Sequence, residues 1–366
     1  MIRVPVQTAS RSYDVLIENG MLRSAGDYLR EFFPEGQNLF VVTVSPVKKN
    51  WGSLVGGALA SAGFNVVQLE MPDGERKKVL ATVEDLASKM AKAGADRKAA
   101  VVALGGGVVG DVSGLLASIY MRGVPIVQVP TTLLAQIDSA VGGKTGVNLR
   151  EGKNLVGTFY QPSVVLTDPG VLATLPEREF RSGLYEAMKY GIIQNPRIFD
   201  FMEENRERIL HRDPVALDWI ITESVRVKAA VVSADERESD LRRILNFGHT
   251  IGHALEAETG YRTFLHGEAV AWGMVAASMI GAGLQMTDAR TAQRIIATVL
   301  AYAPLPKVLA RSKNVAKRLK NDKKTTDGHT HFVLPLEIGK VQIVPDVPER
   351  AVIQSVEELR YLSQAG

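Results

Sequence analysis

The sequence VVALGGGVVGDVSG, at residues 101–114, decides the fold class of this chain. Its first seven residues are typical of a buried strand that ends in a glycine turn, and a helix is expected to follow. Gly105, Gly107 and Gly110 fit the pattern G-x-G-x-x-G, in which backbone N–H groups approach a pyrophosphate at a helix N-terminus. A tight strand–helix turn that needs glycine only for packing would have the same spacing. Both interpretations stay open at this point.

The acidic residue that usually accompanies this pattern is missing. In many dinucleotide-binding folds an Asp or Glu about 20 residues further on binds the ribose, whereas here PIVQVP occupies 125–130. If a dinucleotide binds, its ribose must be held by other residues. The charged cluster at 73–78 is a candidate for this role.

Strand-like runs lie on both sides of the glycine turn. NLFVVTV (38–44) and FNVVQLEMP (64–72) are apolar and β-branched, and a helical pattern over 81–94 ends at Gly94. Strands that alternate with helices predict a parallel sheet with helices on its faces. Ligands of such sheets bind at the carboxyl ends of the strands.

The second half of the chain has a different pattern. From about Pro176 onward long helical patterns replace the strand signals, and a short hairpin is expected over 330–344. The helical patterns cover 177–193, 214–236 and 246–260. We therefore predict an α/β domain at 1–179 and a mostly helical domain at 180–366, in line with about 150 residues per domain.

Composition excludes several classes of protein. The 366 residues are 46% hydrophobic and 23% charged with a net charge of +3, as in ordinary globular proteins. The lack of cysteine excludes disulfides and thiolate metal sites and fits a cytoplasmic location. No targeting segment is expected. The uncharged stretch 269–287 is long enough to span a bilayer, but its Ala, Gly and Ser content favours a buried helix, so no membrane partner is expected.

A basic segment at 307–324 carries eight Lys or Arg residues against one Asp. Nucleic-acid binding is the corresponding alternative from a different class of function, and it would weaken steeply with salt. The segment is short and contains no aromatic residue that could stack on a base. We therefore expect no nucleic-acid partner.

Three of the six histidines, His249, His253 and His266, fall within 18 residues. His249 and His253 are four residues apart and so share one face of a helix. The segment resembles a zincin helix, but Thr250 stands where H-E-x-x-H has its general-base glutamate. Because catalytic zinc often has three protein ligands, we expect a metal site completed by His266 or by a carboxylate such as Glu186. The alternative is a set of hydrogen-bonded core histidines.

Several cations follow the glycine-rich segments or lie near the histidines. A small acidic substrate, such as a phosphorylated sugar acid, would need several such groups, although any single lysine is more often a solvated surface residue. Gly142 to Thr145 ends like a P-loop, but Asp138 stands where that motif needs glycine, which excludes an NTPase. The candidate cations are Arg122, Lys144, Lys153, Lys228, Arg242, Arg243, Lys323 and Lys324.

Taken together, these motifs resemble the 3-dehydroquinate synthase family, a branch of the sugar phosphate cyclases. The resemblance runs through most of the chain. It is densest in GGGVVGDVSGLLASIYMRG (105–123), QVPTTLLAQIDSAVGGKTGVN (128–148), GKNLVGTFYQP (152–162), NFGHTIGHALE (246–256) and LHGEAVAWGM (265–274). It implies an N-terminal NAD-binding α/β domain with a parallel sheet, a mostly helical C-terminal metal-binding domain, an active site in the cleft between them, and a homodimer.

Site residues are implied by the same resemblance, position by position. The implied ligands of Zn²⁺ or Co²⁺ are Glu186, His249 and His266. The implied catalytic residues are Asp138, Lys144, Lys189, Lys228, Asn246 and His253, and the implied substrate contacts are Arg122, Asn154, Arg242, Lys323 and Lys324. The implied NAD contacts are Asp73, Gly74, Glu75, Lys78, Gly105, Gly106, Gly107, Val108, Val109, Gly110, Asp111, Thr131, Thr132, Lys144, Lys153, Thr174, Leu175 and Glu179.

The chemistry implied by the resemblance is the conversion of 3-deoxy-D-arabino-heptulosonate 7-phosphate to 3-dehydroquinate and phosphate, a step of aromatic amino acid and chorismate biosynthesis in the shikimate pathway. Oxidation of the C5 hydroxyl to a ketone acidifies the C6–H, so that phosphate can leave from C7. Reduction of C5, ring opening and an aldol closure follow, with no net consumption of NAD. The alternatives are a sister cyclase such as 2-deoxy-scyllo-inosose synthase and a polyol dehydrogenase such as glycerol dehydrogenase.

Two positions depart from the family pattern. The strand that ends at Val44 lacks the acidic residue that the family often places there for the adenosine ribose. The expected zinc glutamate lies in LYEAMKYG, where many members have M-A-E-V-I-K. The spacing of Glu186 and Lys189 is retained, so the ligand assignment is unaffected.

Overall fold

The structure is a computed structural model, and it describes residues 1–238, 241–322, 330–345 and 347–365. Two compact units are formed, one from Met1–Pro176 with Pro214–Arg237 and the other from Glu177–Asp213 with Glu238–Gly366. The strands are β1 Ile2–Val6, β2 Tyr13–Ile17, β3 Asn38–Thr43, β4 Asn65–Glu70, β5 Ala100–Gly105, β6 Ile126–Pro130, β7 Lys144–Val147, β8 Val156–Phe159, β9 Val164–Thr167, β10 His331–Glu337 and β11 Lys340–Pro345. The α-helices are α1 Ala25–Leu29, α2 Ser45–Val47, α3 Ser53–Ser61, α4 Leu80–Lys92, α5 Gly107–Ile119, α6 Glu177–Ile193, α7 Pro196–Glu204, α8 Arg206–Leu210, α9 Pro214–Ala234, α10 His249–Glu258, α11 His266–Gly283, α12 Ala289–Ala301, α13 Ser312–Asp322 and α14 Glu349–Ala365.

The first unit is built on a seven-stranded sheet with the order β1-β2-β9-β6-β5-β3-β4. Every neighbouring pair is parallel except β1 and β2. The interior strand β5 is buried on both faces because its side chains alternate between two apolar clusters: Val101 packs into one and Val102 into the other. The parallel α/β sheet predicted from the sequence is confirmed.

Helix α9 packs with the first unit, although along the sequence it falls between the two segments that form the second unit. Its Lys228 donates to Oδ1 of Asp138 at 2.5 Å, and Ser233 Oγ accepts from the backbone N–H of Gln7 at 3.0 Å. The structure therefore groups Pro214–Arg237 with the first unit, whereas the predicted boundary after residue 179 assigns this segment to the helical domain. Sequence periodicity identifies a helix but contains no information about which core will bury it.

The second unit consists of eight α-helices and the antiparallel β10–β11 hairpin, among its described residues. The hairpin confirms the expectation for 330–344. Helix α11 contains most of the uncharged stretch 269–287 and is buried along most of its length. Among the described residues, no helix is long and apolar enough to cross a membrane.

Glycine allows unusually close packing around α11. A Cβ atom on Gly273 would lie 1.8 Å from the carbonyl oxygen of Gly248, and one on Gly267 would lie 1.9 Å from that of Ser182. Gly248 itself has φ +79° just before α10, a conformation that side chains with a Cβ rarely adopt. These contacts bring the backbones of α10 and α6 against α11, and each of these three helices carries a predicted metal ligand.

Candidate functional site

The glycine turn in the first unit lies between β5 and α5, as predicted. Gly106 is the N-cap residue of α5 and makes no side-chain capping hydrogen bond. The first N–H groups of a helix have no partner within it, so this end can receive an anion. Packing also requires glycine here, since a Cβ on Gly105 would lie 2.5 Å from Cγ2 of Val109 and one on Gly110 would lie 2.9 Å from Oε1 of Gln128. Both interpretations of the motif therefore have a physical basis.

Two hydroxyl groups beside this turn have no hydrogen-bond partner in the part of the chain that the structure describes. Thr131 is 5% exposed, its backbone N–H bonds the carbonyl of Gly105, and its Oγ1 is unpartnered. Oγ of Ser139 is also unpartnered and lies 3.0 Å from the position that a Cβ on Gly107 would occupy. Buried hydroxyls are normally satisfied. An unsatisfied hydroxyl beside a helix N-terminus fits the polar groups of a nucleotide, and Thr131 was predicted as a contact while Ser139 was not.

Lys78 links three of the predicted segments of the first unit. It is 4% exposed, its Nζ lies 2.5 Å from Oδ2 of Asp111, and it donates to Oδ1 of Asn154 at 2.5 Å. Burial raises the pKa of Asp111, and the neighbouring Lys78 ammonium opposes that rise. Asn148, which the sequence analysis missed, accepts from Asn154 N at 2.8 Å and donates to Oε1 of Glu75 at 2.7 Å.

Asp138 and Lys228 form a second ion pair in the first unit. The donor Nζ and the acceptor Oδ1 are 2.5 Å apart, and the lysine side chain is 8% exposed. Helix α9 carries Lys228, and a single turn of π-helix at Ala135–Ser139 carries Asp138. The sequence separates these residues by 90 positions, so only the resemblance to the family had connected them.

The remaining predicted residues of the first unit lie on its loops. Arg122 is exposed and has φ +70° in a turn where Met121 also has positive φ. Lys144 begins β7 and is exposed, whereas Lys153 is half-buried. Thr174 accepts a hydrogen bond from Trp51 Nε1 at 3.1 Å. The other predicted contacts on the loops and helix starts are Asp73, Gly74, Gly107, Val108, Thr132 and Leu175.

The residues predicted to bind the metal lie close together in the second unit. His249 Nε2 and His266 Nε2 lie 3.7 and 3.5 Å from Oε1 of Glu186. The Glu186 side chain is fully buried; its Oε2 forms an ion pair with Nζ of Lys189, whereas its Oε1 has no hydrogen-bond donor among the described residues. A buried carboxylate oxygen without a donor, facing two imidazole nitrogens, is the environment of a cation site. The imidazoles of His249, His253 and His266 also group together, with ligand atoms within 4.8 Å of one another.

The other ring nitrogens determine how these histidines are oriented. Nδ1 of His249 lies 3.1 Å from the carbonyl oxygen of Phe247, and Nδ1 of His266 lies 3.6 Å from Oε2 of Glu256. Each contact favours a proton on Nδ1 and leaves Nε2 as the metal ligand. The sequence analysis missed Glu256, which is 4% exposed. Its position one helical turn after His253 was the available signal.

Burial acts differently on the two histidines. Burial, together with the charges of Lys189 and the other two histidines, holds the pKa of His249 well below its usual value. Burial also lowers the pKa of His266, but the hydrogen bond to Glu256 and the charges of Glu186 and Glu256 outweigh it, so the pKa is raised overall. His249 is therefore neutral, as a metal ligand must be.

Other predicted residues lie close to this cluster or on neighbouring elements. Lys189 is 1% exposed and forms an ion pair with Glu186, one turn away on α6. Asn246 donates to Oε1 of Glu238 at 3.3 Å, and Arg242 is buried. His253 is exposed, as is Glu179 on α6. Lys323 and Lys324 lie outside the described residues.

Comparison with protein families and curated proteins gives a consistent result. Residues 68–182 match the family described as 3-dehydroquinate synthase N-terminal, and residues 183–325 match 3-dehydroquinate synthase C-terminal. The chain is 63% identical to the 3-dehydroquinate synthase of Koribacter versatilis over 366 residues, which cover 100% of both chains. It is 50% identical to that of Solibacter usitatus over 352 residues, covering 96% of this chain and 97% of the relative.

Solved structures share the fold. A 2-epi-5-epi-valiolone synthase from Streptomyces hygroscopicus with NAD⁺ and Zn²⁺ has a TM-score of 0.88 at 30% identity, over 96% of this chain and 98% of that one. A 2-deoxy-scyllo-inosose synthase with carbaglucose-6-phosphate, NAD⁺ and Co²⁺ has a TM-score of 0.87 at 26% identity, over 98% and 99%. A glycerol dehydrogenase from Schizosaccharomyces pombe, at 16% identity with a TM-score of 0.68, shares the fold alone.

Proposed function

This chain belongs to the 3-dehydroquinate synthase family, and from that premise we propose that it converts 3-deoxy-D-arabino-heptulosonate 7-phosphate to 3-dehydroquinate and phosphate. The reaction is a carbon–oxygen lyase reaction in which phosphate is eliminated. Full-length identity of 63% to a curated member is the observation that carries this proposal. Identity to the two solved sister cyclases is 30% and 26%, which favours dehydroquinate synthesis over their reactions.

Two cofactors fit groups found in this chain. When bound, Zn²⁺ or Co²⁺ supplies a Lewis acid and NAD supplies a reversible hydride acceptor. Glu186, His249 and His266 would hold the cation, since they present one unsatisfied carboxylate oxygen and two oriented Nε2 atoms. The glycine turn before α5 and the unpartnered hydroxyl of Thr131 would hold part of the dinucleotide.

The polar residues of the first unit divide into two groups by burial. Lys78 and Lys228 are buried and ion-paired, so they hold Asp111 and Asp138 in fixed positions. Lys144 and Arg122 are exposed and begin or follow tight turns, as expected of groups that bind phosphate or carboxylate directly. Asn154, fixed by Lys78 and Asn148, offers its amide N–H groups to substrate oxygens.

The second unit supplies the proton-handling groups of the proposal. The exposed imidazole of His253 lies 5.2 Å from the ring of His249, centroid to centroid, and can exchange a proton with substrate and solvent. Lys189 forms a buried ion pair with Glu186 and so fixes the position of its carboxylate. Asn246 and Arg242 are the remaining polar candidates for substrate contact. The leaving phosphate can itself accept the C6 proton.

The test of this proposal is phosphate release from the heptulosonate phosphate with catalytic NAD and zinc. We expect dehydroquinate and phosphate in equal amounts with no net NADH. No release would indicate a sister cyclase, for which glucose 6-phosphate and sedoheptulose 7-phosphate are the substrates to try next. Steady NADH accumulation from a simple alcohol would instead indicate a polyol dehydrogenase. A homodimer and a cytoplasmic location complete the proposal, and both stay predictions.

A further inference from the structure

One face of helix α6 carries Arg178, Ser182 and Glu186 at intervals of four residues. Residues four apart in a helix lie one above the other, so these three side chains form a single row. Glu186, at the end of the row, is a predicted metal ligand. Arg178 and Ser182 have no assigned role in the metal site, yet both make their contacts at the start of α11, where the ligand His266 lies.

Arg178 clamps the segment that leads into α11. Its Nε and Nη2 donate to the two carboxylate oxygens of Glu268 at 2.6 and 2.7 Å, and Nη2 also donates to the carbonyl oxygen of Thr263 at 2.8 Å. Oε2 of Glu268 in turn accepts from the backbone N–H of Leu265 at 2.7 Å. The glutamate side chain is only 4% exposed, and the planar guanidinium fixes its carboxylate in two directions. The clamp therefore holds the chain both before and after His266.

Ser182 bonds the residue that directly follows His266. Its Oγ accepts from the backbone N–H of Gly267 at 3.0 Å, and the serine is buried. The first N–H groups of a helix have no partner within it, so this hydroxyl caps α11 from the neighbouring helix. A Cβ atom on Gly267 would lie 1.9 Å from the carbonyl oxygen of Ser182. The spacing between α6 and α11 is thus set at the turn that carries the ligand.

The distance between Glu186 and His266 depends on this register. Oε1 of the glutamate lies 3.5 Å from Nε2 of the histidine. A shift of α11 along α6 would move Nε2 relative to the carboxylate, and a displacement of about 0.5 Å is enough to loosen a preorganised site. Glu256 orients the imidazole ring through Nδ1, but it belongs to α10 and so does not fix α11 against α6.

We propose that Arg178 and Ser182 are positioning residues of the metal site, which set the register of α11 on α6 and thereby the separation of Glu186 and His266. The proposal rests on the proposed function, because it assumes that this glutamate and histidine hold the cation. Arg178 and Ser182 act through His266. The arginine side chain is 57% exposed, so its role can be tested without opening the core.

Zinc affinity, measured by competition with a fluorescent chelator, tests the proposal without any turnover. Arg178→Ala should weaken zinc binding by roughly tenfold or more, as expected when a group that supports a ligand is lost. The visible absorption bands of the Co²⁺-loaded variant should also change, since they report the geometry of the ligands. Arg178→Lys keeps the charge but not the fork, so its affinity should lie between those of the parent and Arg178→Ala. Ser182→Ala removes the hydroxyl that caps α11 and should weaken zinc binding as well.

Arg294→Ala is the matched control. Arg294 donates from Nε and Nη2 to the carboxylate of Glu203 at 3.1 and 2.6 Å, and its side chain is 43% exposed. This pair joins α12 to α7, and neither helix carries a predicted metal ligand. The control variant therefore loses an ion pair of the same kind and should bind zinc as tightly as the parent.

Several outcomes separate this inference from the proposed function. Equal zinc affinity in the parent and Arg178→Ala would overturn the inference and leave the function standing. Equal weakening in Arg178→Ala and Arg294→Ala would also overturn it, because the loss would then follow from any ion pair between helices. If the parent itself binds no zinc, the metal site of the proposed function fails as well. Should Arg178→Ala not fold, unchanged affinity in both Arg178→Lys and Ser182→Ala would overturn the inference.

Discussion

Oε2 of Glu256 lies 3.6 Å from Nδ1 of His266, and this contact selects the ring nitrogen that faces the metal site. Glu256→Gln keeps the size of the side chain but removes the charge that holds the Nδ1 proton. Loss of such an orienting partner typically lowers metal affinity by about 10- to 100-fold. Competition with a fluorescent zinc chelator measures this directly. Glu258→Gln, on the same helix and bonded to Arg318, should leave the affinity unchanged. Equal affinities in all three proteins would contradict the orienting role.

The identity of the third metal ligand can be decided by two variants. Glu186→Gln should strip zinc from the purified protein, because the amide replaces the charged oxygen that faces both Nε2 atoms. His253→Ala should retain zinc and lose turnover, since its exposed ring is assigned to proton handling. Metal content by mass spectrometry distinguishes a ligand set of Glu186, His249 and His266 from a set of three histidines. His211→Ala, outside the cluster, is the control. Loss of zinc in His253→Ala would instead favour the three-histidine set.

Zinc content also tests His266 directly. His266→Ala removes the nitrogen that lies 3.5 Å from Oε1 of Glu186, so the purified variant should contain no bound metal. A histidine that served only for packing would leave the zinc content unchanged. That result would exclude His266 as a ligand.

Lys144→Ala should abolish turnover and leave the fold intact. The side chain is exposed at the start of β7, and substitutions at such positions usually change the free energy of unfolding by less than about 0.5 kcal/mol. Thermal denaturation and the phosphate-release assay would be run together, with Lys92→Ala on α4 as the control. Near-normal activity would class Lys144 with the ordinary surface lysines.

Gly248→Ala should destabilise the protein far more than Gly260→Ala. Both glycines have positive φ, +79° and +61°, which costs an alanine about 1–2 kcal/mol. Only at Gly248 would the new Cβ also clash, lying 2.7 Å from the carbonyl oxygen of Val270, whereas nothing lies within 4 Å at Gly260. The difference between the two midpoints of denaturation therefore isolates the steric contribution. Equal midpoints of denaturation in the two variants would show that α10 can move away from α11 with little loss of stability.

Acid pH should remove the contribution that one surface ion-pair cluster makes to the stability of the folded state. Hydrogen bonds from Arg294, and then from Thr298, hold the pKa of Glu203 below its usual value of 4.5 despite partial burial. A depressed pKa stabilises the folded state above the unfolded-state value, and that stabilisation is lost as the pH falls through the folded-state value. The stability gap between the parent protein and Glu203→Gln should be widest at neutral pH and should close as the pH falls through the folded-state pKa, which lies below 4.5. A gap that stays the same from neutral to acid pH would contradict this role of Glu203.

The sequence was sufficient to predict the layers of the first unit and to single out the three histidines that lie close together in the second. The run at 101–105 has only apolar or glycine residues because β5 is covered on both faces, and this pattern survives in the sequence. The histidines were recognisable because three of them crowd into 18 residues. Glu186 could be named because the spacing to Lys189 matched the family.

The contacts that complete the site could not be derived in the same way. Lys228 belongs to α9, and its pairing with Asp138 depends on that helix joining the first unit. Glu256 is one of several acidic residues on or near α10, and only the fold shows that it faces His266 while Glu258 faces Arg318. Long-range partner choice is set by tertiary packing, which local periodicity does not encode.

The close approach of Gly273 to the carbonyl of Gly248 has a consequence for mutational tolerance. The geometry of the predicted metal ligands depends on backbone atoms in contact, so no compensating side-chain change can restore it once a methyl group intervenes. A saturation library selected for growth without aromatic supplements should therefore show two kinds of intolerant position in this region. Variants at the histidines should accumulate as folded, inactive protein, whereas variants at Gly248 and Gly273 should disappear from the cell by degradation.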